Sequence, residues 1–143
     1  MDELNYADWS LGMHRRLADI RVPLSGTIEV TQRCNHQCVH CYNNLPLHDA
    51  ESRRTELSVE SHCRILDEIT AAGCLWLLFT GGELFARPDF LDIYNYARQR
   101  GLLITLFTNG TLITPEIADY LAGRPPFAIE ITIYGRTRST YER

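Results

Sequence analysis

The stretch Thr27-Ile28-Glu29-Val30-Thr31-Gln32-Arg33-Cys34-Asn35-His36-Gln37-Cys38-Val39-His40-Cys41-Tyr42 decides how this chain is read. Its first five residues alternate polar and apolar, the period of a half-buried strand. Directly after them come cysteines at C-x3-C-x2-C spacing. Three thiolates on one short loop wrap a single cluster without a distant ligand, and their softness suits iron. A four-iron cluster closed by protein needs a fourth thiolate. The local motif offers three, which leaves one iron for another ligand. The competing reading is a zinc site of three cysteines with His36 or His40. Structural zinc motifs carry paired C-x2-4-C spacings a dozen or more residues apart, and this chain has no second pair. A trio of buried structural cysteines is the third reading.

The rest of the composition narrows the setting. The chain has 143 residues, 45% of them hydrophobic, enough for one compact domain. Its net charge is −4, and no Lys/Arg run forms a stripe that would neutralise phosphates, so nucleic acid is not an expected partner. Arg53–Arg54 reads as a solvated loop. Met1-Asp2-Glu3 lacks the basic and apolar regions of a secretory signal. The longest strongly apolar run, Cys74 to Phe79, falls far short of the roughly 20 residues of a membrane helix. No membrane association is expected, and the expected location is cytoplasmic. Five cysteines, three of them within eight positions, do not form a secreted disulfide framework.

Residues 1–25 read as a polar lead-in with a short helix around Met13–Asp19, and 26–143 as the domain proper. After the strand Thr27–Thr31 comes a long loop, Arg33–Leu57, of a length that is usually functional. Ser58–Ala72 reads as a helix capped by Ser58 and closed by Gly73, with Val59, Cys63, Leu66 and Ile69 near one face. Leu75–Thr80 is a buried strand. Pro88–Arg100 is a helix with Pro88 near its first turn, and Leu102–Thr108 a strand. Thr114-Pro115-Glu116 opens a helix to about Ala122. Phe127–Tyr134 is a fourth strand, and Thr137–Arg143 opens a further helix.

Strands alternating with helices imply parallel βαβ units, an α/β fold. Thr27, Glu29 and Thr31 share a face opposite Ile28 and Val30. Glu130 and Thr132 share one opposite Ile129, Ile131 and Ile133. The apolar faces are expected under the helices and the polar ones toward a common cavity, as in a barrel; edge strands with one solvated side are the alternative.

Three turns at strand ends carry further candidates. In Thr80-Gly81-Gly82-Glu83 the glycines permit a sharp turn and close approach to a ligand, and Glu83 adds a carboxylate where α/β folds bind ligands. Thr108-Asn109-Gly110 contains an Asn-Gly turn pair. Glu130-Ile131-Thr132-Ile133-Tyr134-Gly135 presents a hydroxyl and an acid on one face.

These motifs, in this order, resemble the radical SAM superfamily. The resemblance runs from about Thr27 to Arg143. Its C-x3-C-x2-C loop implies a [4Fe–4S] cluster on Cys34, Cys38 and Cys41, with S-adenosylmethionine on the open iron. It implies that His40, before the third cysteine, lies near the adenine. It places the Thr80–Glu83 turn on the methionine ammonium, and Leu84 replaces the proline that often follows the acid. It makes Thr108 or Asn109 part of the cofactor pocket, and Thr132, with Glu130, a contact to ribose or carboxylate. Ala72–Leu77 and Phe107–Ile113 resemble the group with a SPASM-type C-terminal extension, related to peptide maturases.

The activity implied is reductive cleavage of S-adenosylmethionine to a 5′-deoxyadenosyl radical that abstracts hydrogen, with a peptide as substrate and a flavodoxin or ferredoxin as reductant. The family core is a partial (β/α)6 TIM-type barrel, so a version truncated to about four strands and three helices is expected here. A complementing chain or C-terminal half follows as a further expected partner. An iron–sulfur electron carrier and a zinc-binding interaction module remain as alternatives. Cys63 and Cys74 read as core residues, and Trp9 and Trp76 as packing residues.

Overall fold

The computed structural model describes residues 5–43, 45–133 and 135–137. The chain begins with α1 (Tyr6–Leu17) and β1 (Ser25–Glu29). The long loop then forms two short strands, β2 (Arg33–Cys34) and β3 (Leu45–Pro46), and a helix, α2 (Ala50–Thr55). Three units follow: α3 (Val59–Ala71) with β4 (Trp76–Thr80); a 3-10 turn (Leu84–Ala86) and α4 (Phe90–Gln99) with β5 (Leu103–Thr108); and α5 (Pro115–Gly123) with β6 (Ala128–Ile131). β1, β4, β5 and β6 form one parallel sheet in that order. Each neighbouring pair is joined through a helix, which is the βαβ arrangement the sequence implies.

Register separates the two faces. Ile28 pairs with Phe79, Phe79 with Leu106 and Leu106 with Ile129. Phe79 and Leu106 are buried with Leu77, Ile104 and Val30 under Leu66, Phe90, Ile93, Tyr94, Ala97 and Leu121 of the helices. Phe90 meets Phe79 edge-on at 5.6 Å. Side chains alternate across a strand, so the opposite face carries Thr27, Glu29, Thr80, Thr105 and Glu130, with Glu29 paired to Thr80 and Phe107 to Glu130. The polar faces of the first and fourth strands therefore share one side of the sheet.

Several local expectations are corrected. The first helix starts at Tyr6, seven residues before Met13, because the Asn5 side chain accepts from Ala7 N (2.9 Å). It packs at the N-terminal end of the sheet: Trp76 Nε1 donates to Tyr6 Oη (2.6 Å), and Trp9 and Trp76 lie 5.7 Å apart. Thr31 does not continue the polar face. It is buried beyond the end of β1 and donates to Glu56. In α3, His62 takes the fully buried place and Cys63 is half-exposed. α4 starts at Phe90 with Asp89 at its cap, so Pro88 precedes the helix and does not lie in its first turn. β6 ends at Ile131, short of Tyr134. The apolar residues here are not buried as expected: Ile129 and Ile131 of β6, and Ile133 beyond it, are 40%, 52% and 75% exposed. Tyr134, and the helix expected from Thr137 onward beyond Thr137 itself, lie outside the described residues.

The long loop is pinned by one buried ion pair. Arg33 Nε and Nη2 donate to the two carboxylate oxygens of Glu56 at 2.8 and 3.0 Å, and Nη1 donates to Leu47 O at 3.1 Å. Burial by itself would raise the Glu56 carboxyl. Hydrogen bonds from Arg33 and Thr31 outweigh it and hold the group below its ordinary value of 4.5.

Two stability measurements follow. Leu106→Ala should lose about 2–5 kcal/mol, seen as a lower urea midpoint with unchanged slope. Glu56→Ala should lose about 3–5 kcal/mol, because the buried guanidinium is left unpaired. Since the folded carboxyl is depressed, its stabilisation is complete above the ordinary value of 4.5 and is lost as pH falls through the lower folded value. Urea midpoints taken from neutral pH down to about pH 3 should fall in that acid window for the wild type and fall less for Glu56→Ala.

Candidate functional site

The site lies at the C-terminal ends of the parallel strands, where the exit of β4 presses on the entry to the cysteine loop. Gly82 N donates to Thr31 O (2.7 Å) and Glu83 N to Arg33 O (2.9 Å). A Cβ at Gly82 would meet Arg33 O at 2.3 Å. One at Gly81, where φ is +134°, would meet Thr31 O at 2.3 Å. Both glycines are therefore required by the chain's approach to itself. The sequence reading gave them a ligand to approach; the observed close contact is to the loop backbone.

Cys34 closes β2, and the Cys41 N–H bonds to Cys38 O (3.0 Å), which turns the loop back. All five cysteines are free thiols. Cys34, Cys38 and Cys41 are half-buried. Cys74 sits beside Gly26 at the opposite end of the sheet, and Cys63 lies on α3 near Asp67, Glu60 and Arg100. No fourth cysteine is in reach of the loop. Among the described residues no three Cys, His, Asp or Glu side chains converge as a single metal ion requires. Three soft thiols on one loop fit a cluster that places each thiolate on a separate iron.

Backbone and side-chain donors surround these sulfurs. His36 N lies 3.4 Å from Cys34 Sγ, Asn43 N 3.4 Å from Cys41 Sγ, and Asn109 Nδ2 3.6 Å from Cys34 Sγ. Burial pushes the Cys34 thiol up; the His36 and Asn109 donors oppose this and the nearby Glu83 adds to it. Asn43 is buried, and its Nδ2 has no hydrogen-bond partner among the described residues. Such an orphaned donor beside the loop matches a bound group rich in acceptors. Tyr42 Oη donates to Glu29 (2.6 Å), tying the far end of the loop to the polar face of β1. The sequence reading singled out neither Asn43 nor this tie. The usable signal was Tyr42 standing next to Cys41 while Glu29 stands on the strand's polar side.

The remaining candidates divide by face. Glu83 is 0% exposed and accepts from Thr108 Oγ1 (2.6 Å), Asn109 N (2.8 Å) and Phe85 N (3.2 Å). A carboxylate has about four acceptor positions, so one remains. Thr108 stands beside Glu83 at the end of β5. It shares the buried face of Ile104 and Leu106, donates to Glu83 and accepts from Gly110 N (3.0 Å). Asn109 stands against the cysteine loop itself. Thr80 is half-buried at the end of β4, on the polar face with exposed Glu130. Thr132 is exposed just past β6, with its N–H on Thr108 O (3.3 Å). His40 is exposed in the turn between Cys38 and Cys41.

AdoMet-dependent heme synthase of Methanosarcina barkeri is 33% identical over 114 residues, covering 80% of this chain and 32% of its own. PqqA peptide cyclase of Ruegeria pomeroyi is 32% identical over 124 residues, covering 87% and 32%. The chain thus spans about a third of the length of these curated relatives. The structure of SuiB of Streptococcus suis bound to S-adenosylmethionine aligns with 99% of this chain and 33% of its own, at TM-score 0.68 and 20% identity. SuiB bound to its precursor peptide SuiA aligns at TM-score 0.69. The likeness establishes the fold, in which the four parallel strands are part of the wall of a partial TIM-type barrel. The model of the Radical SAM superfamily matches residues 28–141, and the chain belongs to that superfamily.

Proposed function

We propose that this chain is the cluster- and S-adenosylmethionine-binding part of a radical SAM enzyme that acts on a peptide. The observation that carries the reading is the donor set. Three free thiols share one loop at the mouth of the parallel sheet, and the other two cysteines lie elsewhere.

Cys34, Cys38 and Cys41 would hold a [4Fe–4S] cluster, and with three thiolates for four irons one iron would be left for S-adenosylmethionine. Given one electron from a reductant, the bound pair would supply methionine and a 5′-deoxyadenosyl radical able to remove a hydrogen atom from substrate. The chain's own groups orient and shield it. Gly81 and Gly82 let the turn close on the loop. Glu83 keeps one acceptor position for the methionine ammonium while its other bonds brace Thr108 and Asn109. His40 offers a flat ring to the adenine. Thr80, Glu130 and Thr132 offer polar contacts from the open face to ribose and carboxylate. A flavodoxin or ferredoxin delivers the electron. The peptide substrate is proposed from the names of PqqA peptide cyclase and of SuiB with SuiA.

The test is product formation. The chain, loaded with iron and sulfide without oxygen and reduced with S-adenosylmethionine present, should release 5′-deoxyadenosine, read by chromatography. Cys38→Ala should abolish it. A fully loaded protein that yields none contradicts the proposal.

A further inference from the structure

The Asn109 side chain closes a ring of polar groups over Cys34. Asn109 Oδ1 accepts from the Thr111 backbone N (2.9 Å) and from Thr111 Oγ1 (2.6 Å). Thr111 Oγ1 accepts from Asn35 Nδ2 (2.8 Å), and Asn35 Oδ1 accepts from Asn109 Nδ2 (2.9 Å). Every donor in this ring meets an acceptor in one sense only. With Thr111 N–H facing Oδ1, the Asn109 amide cannot be reversed without setting donor against donor. Its NH2 group is thereby fixed toward the loop. The same Nδ2 donates to Asn35 Oδ1 at 2.9 Å and faces Cys34 Sγ at 3.6 Å. The backbone behind it is equally fixed, since Asn109 N donates to buried Glu83 at 2.8 Å.

We infer that Asn109 is a positioning residue that sets the reduction potential of the cluster on Cys34, and so how readily it takes up an electron. The inference rests on the cluster proposed above. Reduction adds negative charge to iron and its thiolates. An N–H aimed at a thiolate sulfur stabilises the more negative state more than the less negative one, which raises the potential. The His36 N–H makes a second bond to the same sulfur, at 3.4 Å. That bond belongs to the loop's own backbone. Asn109 brings the effect from the turn after β5, so the potential is coupled to the turn that also braces Glu83.

The experiment is a redox titration of the anaerobically loaded protein, followed by electron paramagnetic resonance, on wild type, Asn109→Leu, Asn109→Asp and Asn35→Ala. Asn109→Leu removes the donor and should lower the midpoint. Asn109→Asp keeps the acceptor for Thr111 and places a negative charge by the sulfur, so it should lower the midpoint further. Asn35→Ala opens the ring but leaves the Asn109 amide, and should shift the midpoint least. Equal midpoints across the series overturn the inference. So does loss of the cluster from both Asn109 variants when wild type and Asn35→Ala retain it, because Asn109 is then structural only. A wild type that takes up no cluster overturns the cluster reading itself, an outcome distinct from equal midpoints.

Discussion

The carboxylate of Glu83 has no contact with solvent, and the geometry of the whole site is built around satisfying it. Burying a carboxylate is unfavourable unless hydrogen bonds replace its water. Here the replacements come from three places: the turn after β4, through Phe85 N; the last residue of β5, through Thr108; and the first residue beyond it, through Asn109 N. Because Glu83 follows β4 while Thr108 and Asn109 sit together at the exit of β5, one acid fixes the exits of two neighbouring strands relative to each other. The backbone of the same turn bonds to Thr31 and Arg33, so the entry to the cysteine loop is fixed as well.

Outside this centre two buried arginines brace the same loops. Arg33 joins the residue before Cys34 to α2 through Glu56. Arg87 Nη1 donates to Val30 O (2.9 Å) and Leu57 O (3.0 Å), while its other nitrogens bond to Asp89. It therefore links the end of β1, the start of α3 and the turn before α4. Such bonds give direction where apolar packing gives none. The apolar core lies on one face of the sheet and the polar face on the other. The aromatic cluster of Tyr6, Trp9 and Trp76 closes the end away from the cysteine loop. Chemistry-bearing groups are left at the opposite end, the usual place for sites in α/β folds.

The strands were legible because alternation and Gly or Pro punctuation mark them locally. Ser58 and Thr114 do cap the helices they were read to start, and Gly73 does take a positive φ of 101°. What escaped the sequence depends on distant partners. α2 has no apolar period and stands on the Asp49 cap, whose side chain accepts from Ser52 N at 2.7 Å. β2 and β3 are two residues each and exist only by pairing. The cysteine motif was readable as a unit. The inward turn of Glu83 was not, since a Gly-Gly-Glu turn does not say which side its acid faces. Thr108 shows the same limit. Counting from Ile104 and Leu106 puts it on the core face, but only the position of Glu83 explains a hydroxyl there.

The central claim is that the three thiols of this loop leave one iron open and that S-adenosylmethionine takes that place. The most direct measurement is the electron paramagnetic resonance spectrum of the reduced, cluster-loaded protein before and after the nucleotide is added. The account predicts a changed line shape and g-values on addition, as a new ligand enters the iron's coordination sphere. An unchanged spectrum from a fully assembled cluster would contradict it.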